Sequence, residues 1–179
     1  MGQGRDSRGF TLSELLVVLA MVGMVVATVV GVLQRSLQVY QAGAARVEAQ
    51  QGARVALERL ARELQGAGFN PTGAVFSPLV NPTSTGFTIQ NDLNGDGVIA
   101  GTRETVTYSL TGRTLRRNAG GGAQPVIEGV ESLTLTYLDD AGRPAPTVDA
   151  IRTVVIALTT GAAGLGRVSV TTQVRLRNR

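Results

Sequence analysis

Several residue types that carry common chemistry are missing from this chain of 179 residues. It has no Cys, His, Trp or Lys, and all 17 basic residues are Arg. Without Cys no disulfide or thiol chemistry is possible, and without His there is no imidazole base, Ser-His-Asp triad or His-ligated zinc site. These absences argue against a hydrolase. The net charge of +4 is modest and does not by itself indicate nucleic-acid binding.

Charge is also missing from one long stretch near the amino terminus. The 19 residues from Leu15 to Leu33 are uncharged and consist mostly of Val, Leu, Ala and Met. As a helix this run is roughly 28 Å long, close to the thickness of the hydrocarbon core of a bilayer. A buried core helix is the alternative, but such a helix is usually shorter or apolar on one face only. The run therefore predicts a transmembrane helix.

One acidic residue lies at the beginning of this run. Glu14 stands directly before Leu15, and a carboxylate at that depth is costly in lipid unless it is paired. The residues alone leave two interpretations open: the side chain reaches the lipid headgroups, or it has a functional partner within the membrane. The polar segment before it carries Arg5, Asp6 and Arg8. Basic residues at that position mark the cytoplasmic side of a membrane span.

The segment from Gly9 to Glu14, with the sequence Gly-Phe-Thr-Leu-Ser-Glu, joins the polar and apolar parts. Its small residue precedes the apolar run rather than following it, unlike the cleavage site of a secretory signal peptide. The segment resembles the prepilin signature of type IV pilins and type II secretion pseudopilins. The resemblance implies that a prepilin peptidase/methyltransferase cuts between Gly9 and Phe10 and methylates the new amino terminus at Phe10. It also implies that Glu14 pairs with the Phe10 amine of a neighbouring subunit, which lowers the cost of a buried acid.

The helical pattern continues beyond the apolar run. Residues 34–65 contain no Pro and are rich in Ala, Gln, Glu, Arg and Leu, which favour helix. We expect one apolar stripe to pack on the domain that follows; a free amphipathic helix or coiled coil is the alternative. The glycines and the proline over 66–71 predict the end of the helix. The stripe consists of Ala53, Leu57, Leu60, Ala61 and Leu64.

The rest of the chain shows the alternation of antiparallel strands. Strands are predicted over 86–90, 105–110, 114–117, 132–138, 150–159 and 167–176, with loops over 69–85 and 118–123. The last two are the strongest, and in 167–176 Val, Leu and Thr172 alternate with Ser, Thr, Gln and Arg. The predicted domains are a leader (1–9), a transmembrane half-helix (10–33), an extramembrane amphipathic half (34–66) and a β-rich domain (67–179).

A long amino-terminal helix followed by antiparallel strands is the pilin architecture, and segments 129–137, 151–156 and 175–178 resemble PilW-type minor pilins. The resemblance implies an α+β pilin fold with the helix packed on antiparallel β-sheet. It implies a structural subunit, not an enzyme, in the assembly, initiation or tip complex of a type IV pilus, serving twitching, adhesion or DNA uptake. The implied partners are other major and minor pilins and the inner membrane, with a cytoplasmic amino terminus. The alternatives are a J-type minor pseudopilin of type II secretion and, from another class, a membrane-anchored calcium-dependent adhesin.

One loop has the spacing of a metal site. Residues 92–98 copy the first half of an EF-hand calcium loop, with oxygen side chains at positions 1, 3 and 5 and Gly at position 6. Position 12, where a Glu is expected, is Arg103, and Glu104 follows it. An Asx-rich turn without an ion is the alternative. The predicted looser calcium site consists of Asp92, Asn94, Asp96, the carbonyl of Val98, and Glu104.

Two groups of arginines complete the pattern. Arg113, Arg116 and Arg117 lie beside a Gly-rich loop. They predict either contact with DNA phosphates or a solvated strand face, and the lack of interleaved aromatics favours the strand face. The arginines at 175, 177 and 179 are expected on the outer face of an edge strand, where charge opposes aggregation.

Overall fold

A computed structural model describes residues 10–100, 103–161 and 167–178. The described chain contains one α-helix, a short 3₁₀ turn at Val148–Ala150 and eight strands. It divides into two compact units, the second of which begins at Ala44, and helix α1 contributes to both. The elements are α1 (Leu12–Gly66), β1 (Leu79–Thr83), β2 (Gly86–Gln90), β3 (Thr105–Thr111), β4 (Thr114–Asn118), β5 (Ala123–Ile127), β6 (Val130–Leu138), β7 (Thr153–Gly161) and β8 (Arg167–Arg175).

In the first unit, helix α1 is exposed on all sides. The large apolar side chains between Leu15 and Leu33 are from 45% exposed, at Val30, to 75% exposed, at Met24. A helix that is apolar all round is stable in lipid or among other apolar helices, not in water. Among the described residues, α1 is the one helix that is long and apolar enough to cross a membrane.

The second unit contains two antiparallel sheets. Strands β1 to β5 form a five-stranded sheet in sequential order, and β6 to β8 form a three-stranded sheet in sequential order. Within each sheet, strands that are consecutive in the sequence pair with each other. Tight turns connect β1 to β2 and β3 to β4, whereas the longer segments 91–104 and 139–152 connect β2 to β3 and β6 to β7. Between β3 and β4 the turn includes Gly112, whose φ of +61° is left-handed.

The carboxyl-terminal part of α1 contributes one apolar stripe to the core of this unit. The stripe shares a buried cluster with residues of both sheets, such as Tyr108 and Ile156. The predicted α+β fold, a long amino-terminal helix packed on antiparallel sheets, is confirmed and is consistent with a pilin fold. The predicted stripe residues Ala53, Leu57, Leu60 and Leu64 are buried together with Ala56, and Ala61 is partly buried against the same core.

A half-buried ion pair adds a polar link between α1 and β4. The Nε of Arg117 lies 2.9 and 3.0 Å from the two carboxylate oxygens of Glu63. Burial by itself would lower the pKa of Arg117, but the hydrogen bonds and negative charge of Glu63 outweigh this and raise it. The guanidinium therefore stays charged and joins two elements whose residues are 54 positions apart.

The end of α1 is closed by a glycine and by the carboxyl-terminal tail. Gly68 has a φ of +80°, and a Cβ at this position would lie 2.6 Å from the side chain of Pro78. Only Gly fits there. The side-chain amide of Asn178 donates hydrogen bonds to the carbonyl oxygens of Gly66 and Ala67, each at 3.2 Å. These bonds satisfy carbonyl groups that a helix end leaves without intrahelical partners.

Two strands lie where the sequence predicted none. Strand β1 falls within the predicted loop over 69–85, and that part of the prediction is wrong. It contains Asn81, with a φ of +50°, and Pro82, and its pairing with β2 is irregular. Strand β5 contains Pro125 and follows a run of glycines. Both are edge strands, where proline is tolerated because one side of the backbone needs no partner. Tertiary pairing overrides the local loop propensity at these positions.

Candidate functional site

The expected cleavage point lies at the border of the described chain. Gly9 lies outside the described residues. Phe10 precedes the start of α1, and its side chain is 81% exposed. The aromatic ring of Phe10 is thus presented to the surroundings rather than packed within this chain.

Glu14 closes the first turn of α1. The backbone N–H and the hydroxyl of Thr11 donate to Oε2 of Glu14, at 3.2 and 3.1 Å. In return, the N–H of Glu14 donates to the hydroxyl oxygen of Thr11 at 3.3 Å. This reciprocal pair is a capping box, and it places the carboxylate at the positive end of the helix dipole. This capping role was not predicted from the sequence, although Thr-x-x-Glu before an apolar run is its signature.

The cap uses only one oxygen of the carboxylate. Both hydrogen bonds from Thr11 end on Oε2, and Oε1 of Glu14 accepts none from the described residues. An ionised carboxylate offers about four acceptor positions. The first turn of the helix therefore orients the acid and leaves it able to bind a second donor.

The loop between β2 and β3 brings its acidic side chains together. One carboxylate oxygen each from Asp92, Asp96 and Glu104 lies within 4.8 Å of the others. Asp92 and Glu104 are buried, at 0% and 2% exposure, whereas Asp96 is exposed. Arg103, which occupies position 12 of the motif, has a left-handed φ of +76° directly before Glu104. Glu104, one residue after position 12, is therefore the acid whose carboxylate lies close to those of Asp92 and Asp96.

The carboxylate of Asp92 accepts four hydrogen bonds, three of them from N–H groups of this loop. Burial by itself raises the pKa of its carboxyl, but the hydrogen bonds that it accepts outweigh this and hold the pKa below its ordinary value of 3.8. The ionised form is therefore the one that the folded loop stabilises. Its donors are the hydroxyl of Thr72 at 2.8 Å and the N–H groups of Gly95 at 2.8 Å, Gly97 at 3.1 Å and Asp96 at 3.2 Å.

The remaining predicted ligands also have partners within the chain. Glu104 accepts the N–H of Asn94 at 3.4 Å and the N–H of Ala100 at 3.2 Å. The two carboxylate oxygens of Asp96 accept the amide of Asn94 and the N–H of Val98, each at 2.8 Å. The carbonyl of Val98 accepts from Ala100 at 3.1 Å. The loop is an Asx-rich turn with clustered carboxylates, and a cation there would share oxygens that already accept hydrogen bonds.

The arginine group near the β3–β4 turn is engaged within the chain. Arg117 pairs with the α1 carboxylate described above. Arg113 lies 3.7 Å from Glu131, and Arg116 donates to the carbonyl of Ala123 at 3.3 Å. The contact of Arg117 with a distant helix could not be found from local sequence, because its partner lies on another element.

Comparison with known proteins adds one match. A family model for the prokaryotic N-terminal methylation motif matches residues 4–30, a segment that includes Gly9, Phe10 and Glu14. None of the curated proteins matches this chain. The motif indicates a type IV pilin or pseudopilin. It implies processing by a prepilin peptidase and assembly with other pilins, and suggests a structural subunit rather than an enzyme. The apolar helix that follows fits membrane anchoring.

The lowered pKa of Asp92 predicts a stability contribution that depends on pH. Because the folded pKa lies below the unfolded one, the contribution is present above the unfolded value and is lost as the pH falls through the folded value. We expect Asp92→Asn to lower the melting temperature of the full chain in detergent most strongly above about pH 5. The difference from wild type should shrink as the pH is lowered through 3.8 and below.

Asp140→Asn is the control, since Asp140 is an exposed acid in a surface ion pair and should contribute little. Taking the difference from wild type at each pH removes the titration of all other groups. A difference for Asp92→Asn that stays constant from pH 7 to pH 2 would contradict the prediction.

Proposed function

We propose that this chain is a minor pilin of the PilW type, a structural subunit of a type IV pilus that acts in assembly, initiation or at the tip. The observation that carries the proposal is the position of Glu14, the one acid at the start of an apolar helix that is exposed on every side. Gly9 and Phe10 precede it in the spacing of the prepilin signature. The minor-pilin assignment is supported by the resemblance of the strand segments and by the absence of Cys, since major pilins often carry a carboxyl-terminal disulfide.

In this proposal the chain enters the inner membrane as a precursor with its basic amino-terminal segment in the cytoplasm. The peptidase/methyltransferase cuts between Gly9 and Phe10 and methylates the amine of Phe10. The run from Leu15 to Leu33 then moves from lipid into a filament, where it packs on the helices of other pilins. Because lipid and a helix bundle are both apolar, this transfer exposes little apolar surface to water.

The free Oε1 of Glu14 supports pairing with a neighbouring subunit. The capping bond to Thr11 holds the carboxylate in place before assembly. An ammonium group at Phe10 of the next subunit would then neutralise the acid without displacing the cap, and a paired charge is far less costly in an apolar environment. The headgroup alternative needs no such second donor.

Deleting the gene distinguishes the proposed function from its nearest rival. We expect the loss of surface pili, and of twitching or DNA uptake, while type II secretion continues. The reason is that a minor pilin is required to start or complete one filament only. Secretion that fails while surface pili remain normal would instead assign the chain to the J-type pseudopilins. Complementation with the wild-type gene is the control.

Two substitutions at Glu14 separate the capping role from the pairing role. Glu14→Gln keeps the capping box, because Gln serves at that position, but removes the charge. Glu14→Val removes both. If pairing with the Phe10 amine drives assembly, both variants should be inserted and cleaved but reach the filament at about a tenth of the wild-type level or less, as expected when an interaction worth 1.4 kcal/mol or more is lost.

Immunoblots of sheared pili and membranes measure this distribution, and Gly9→Val supplies the uncut precursor as a size standard. Normal incorporation of Glu14→Gln together with defective incorporation of Glu14→Val would show that Glu14 acts only as a helix cap. Normal incorporation of both variants would show that Glu14 has no role in assembly.

We also propose that the Asp92 loop binds calcium. The support is the motif spacing and the convergence of the carboxylates of Asp92, Asp96 and Glu104, with Asn94 and the Val98 carbonyl as further oxygen donors. Three carboxylates on a tight turn repel one another, and a divalent cation relieves that repulsion. The same loop would serve the alternative of a calcium-dependent adhesin, whose deletion would spare piliation.

Calcium should raise the melting temperature of the full chain in detergent. A ligand at about 100 times its Kd stabilises the folded state by about 2.7 kcal/mol. Asp96→Asn should abolish the shift without disturbing the core, because Asp96 is exposed. Asp140→Asn, an exposed acid outside the loop, should leave it unchanged. A melting temperature that saturating calcium does not move would show that the loop is only a turn.

Contact with DNA phosphates stays a prediction for Arg113, Arg116 and Arg117. The ion pairs of Arg117 and Arg113 neutralise part of the positive charge of this group. No separate function is proposed for it.

A further inference from the structure

The two sheets have four edges, and two of these are interrupted by proline. The edge of β1 contains Pro82 next to the left-handed Asn81, and its pairing with β2 is irregular. The edge of β5 contains Pro125. Proline removes a backbone donor and breaks the regular row of groups that another strand would need. These two edges are therefore protected against pairing with another chain.

A third edge, that of β6, is covered by turns of the other sheet. The N–H of Leu135 donates to the carbonyl of Ser84 at 2.8 Å, and the N–H of Val130 donates to the carbonyl of Arg113 at 2.9 Å. Backbone groups that would otherwise face solvent are thus satisfied within the chain.

Within the part of the chain that the structure describes, the fourth edge, that of β8, has none of these features. Strand β8 is nine residues long, contains no proline and pairs with β7 in unbroken register along its whole length. Its residues from Val168 to Val174 are uncharged and mostly β-branched. A long, regular edge of this kind is a ready template for another strand.

The pairing pattern shows which groups of β8 point outward. The N–H of Leu135 on β6 bonds to Ser84 and therefore points away from β7. Leu135 lies opposite Ile156 on β7, so the backbone N–H and C=O of Ile156 point towards β8, where they meet those of Thr172. Backbone groups alternate in direction along a strand, so those of the residues on either side of Thr172 point outward. The described residues make no backbone–backbone hydrogen bond to these outward groups beyond the sheet. The outward groups in the centre of the strand belong to Ser169, Thr171 and Gln173.

We propose that the free edge of β8 binds an extended segment of a different protein chain by strand addition. The main-chain groups of Ser169, Thr171 and Gln173 would supply the hydrogen bonds. The inference rests on the sheet edge alone and does not depend on the proposed pilus function.

The charges at the ends of β8 define the partner. Arg167 and Arg175 stand at its two ends, and both side chains are more than 70% exposed although they contact Glu131 and Asp140. In a second copy paired antiparallel about Thr171, each Arg167 would lie opposite an Arg175, and like charges directly opposite destabilise a strand pair. A segment with carboxylates near its ends and small or β-branched residues between them is complementary in charge and shape.

A synthetic peptide tests the proposal with the full chain in detergent micelles. The probe is the fluorescently labelled nonapeptide Glu-Thr-Val-Ser-Thr-Val-Thr-Ser-Glu, which matches the nine-residue length of β8. We expect saturable binding by fluorescence anisotropy. Hydrogen exchange should slow at the amides of Ser169, Thr171 and Gln173 when the peptide binds, whereas those of Val170 and Thr172 should exchange slowly with or without it.

Thr171→Pro is the matched protein variant. It removes an outward N–H without touching the ladder to β7, so it should weaken binding at least about tenfold, as expected for a lost hydrogen bond plus a steric block. Thr171→Val keeps the N–H and should bind as wild type does. Slow exchange at Val170 and Thr172 shows that the proline variant is folded. A probe with N-methylated amides should fail with the unaltered protein, which tests the same contact without any mutation.

Three results would overturn the proposal. They are no binding of the acidic peptide, binding that leaves the three outward amides unprotected, and equal binding to the Thr171→Pro chain. Equal or tighter binding of the same peptide with Arg at both ends would contradict the assignment of an acidic partner and would favour a second copy of this chain.

Discussion

The fold depends on one helix that meets two different environments. In the first unit α1 is apolar on every side and exposed, which suits lipid or other apolar helices. In the second unit only one stripe is apolar, and residues such as Leu57 and Leu60 are buried in the core shared by both sheets. Burying each such side chain contributes about 1.5–3 kcal/mol, and neither small sheet has another helix to cover it among the described residues. The same helix therefore completes the core of the strand domain and carries the exposed apolar segment.

The second requirement on the domain is that its backbone groups find partners. The helix end is satisfied by Asn178, and the edge of β6 is satisfied by the turns that carry Ser84 and Arg113. The Asp92 loop solves the same problem with side chains, because its carboxylates accept the N–H groups that a tight turn leaves free. The loop thus has an ordered conformation of its own. The cation that we propose for this loop would compensate charge in a conformation that is already hydrogen-bonded, unlike the ion of a metal site that is unfolded without it.

The sequence predicted those parts of the fold that rest on periodicity. The stripe at Leu57 and Leu60 and strands β7 and β8 follow from regular spacing of apolar residues, as does the α+β class. Strands β1 and β5 were not predicted, because Pro82 and Pro125 are typical of loops. Only the pairing in the folded sheet shows that both segments are edge strands. The contact of Arg117 with Glu63 could not be predicted for another reason, because no local sequence pattern links residues that are 54 positions apart. At the site, the apolar surroundings of Glu14 single it out in the sequence. Its contact with Thr11 was not predicted, because the Thr-x-x-Glu spacing lies within the segment that resembles a processing signature.

That contact changes how the acid of the first turn should be understood. A carboxylate at the start of an apolar helix would be costly in lipid even in a single chain, before the assembly that we propose. The bonds from Thr11 and the helix dipole lower this cost within the single chain. They also restrict the side chain to one rotamer, so less side-chain conformational entropy would be lost when a partner binds. Since the cap leaves Oε1 unoccupied among the described residues, capping would not compete with the pairing that we propose for this carboxylate. Thr11 then becomes a positioning residue for any partner that Glu14 acquires.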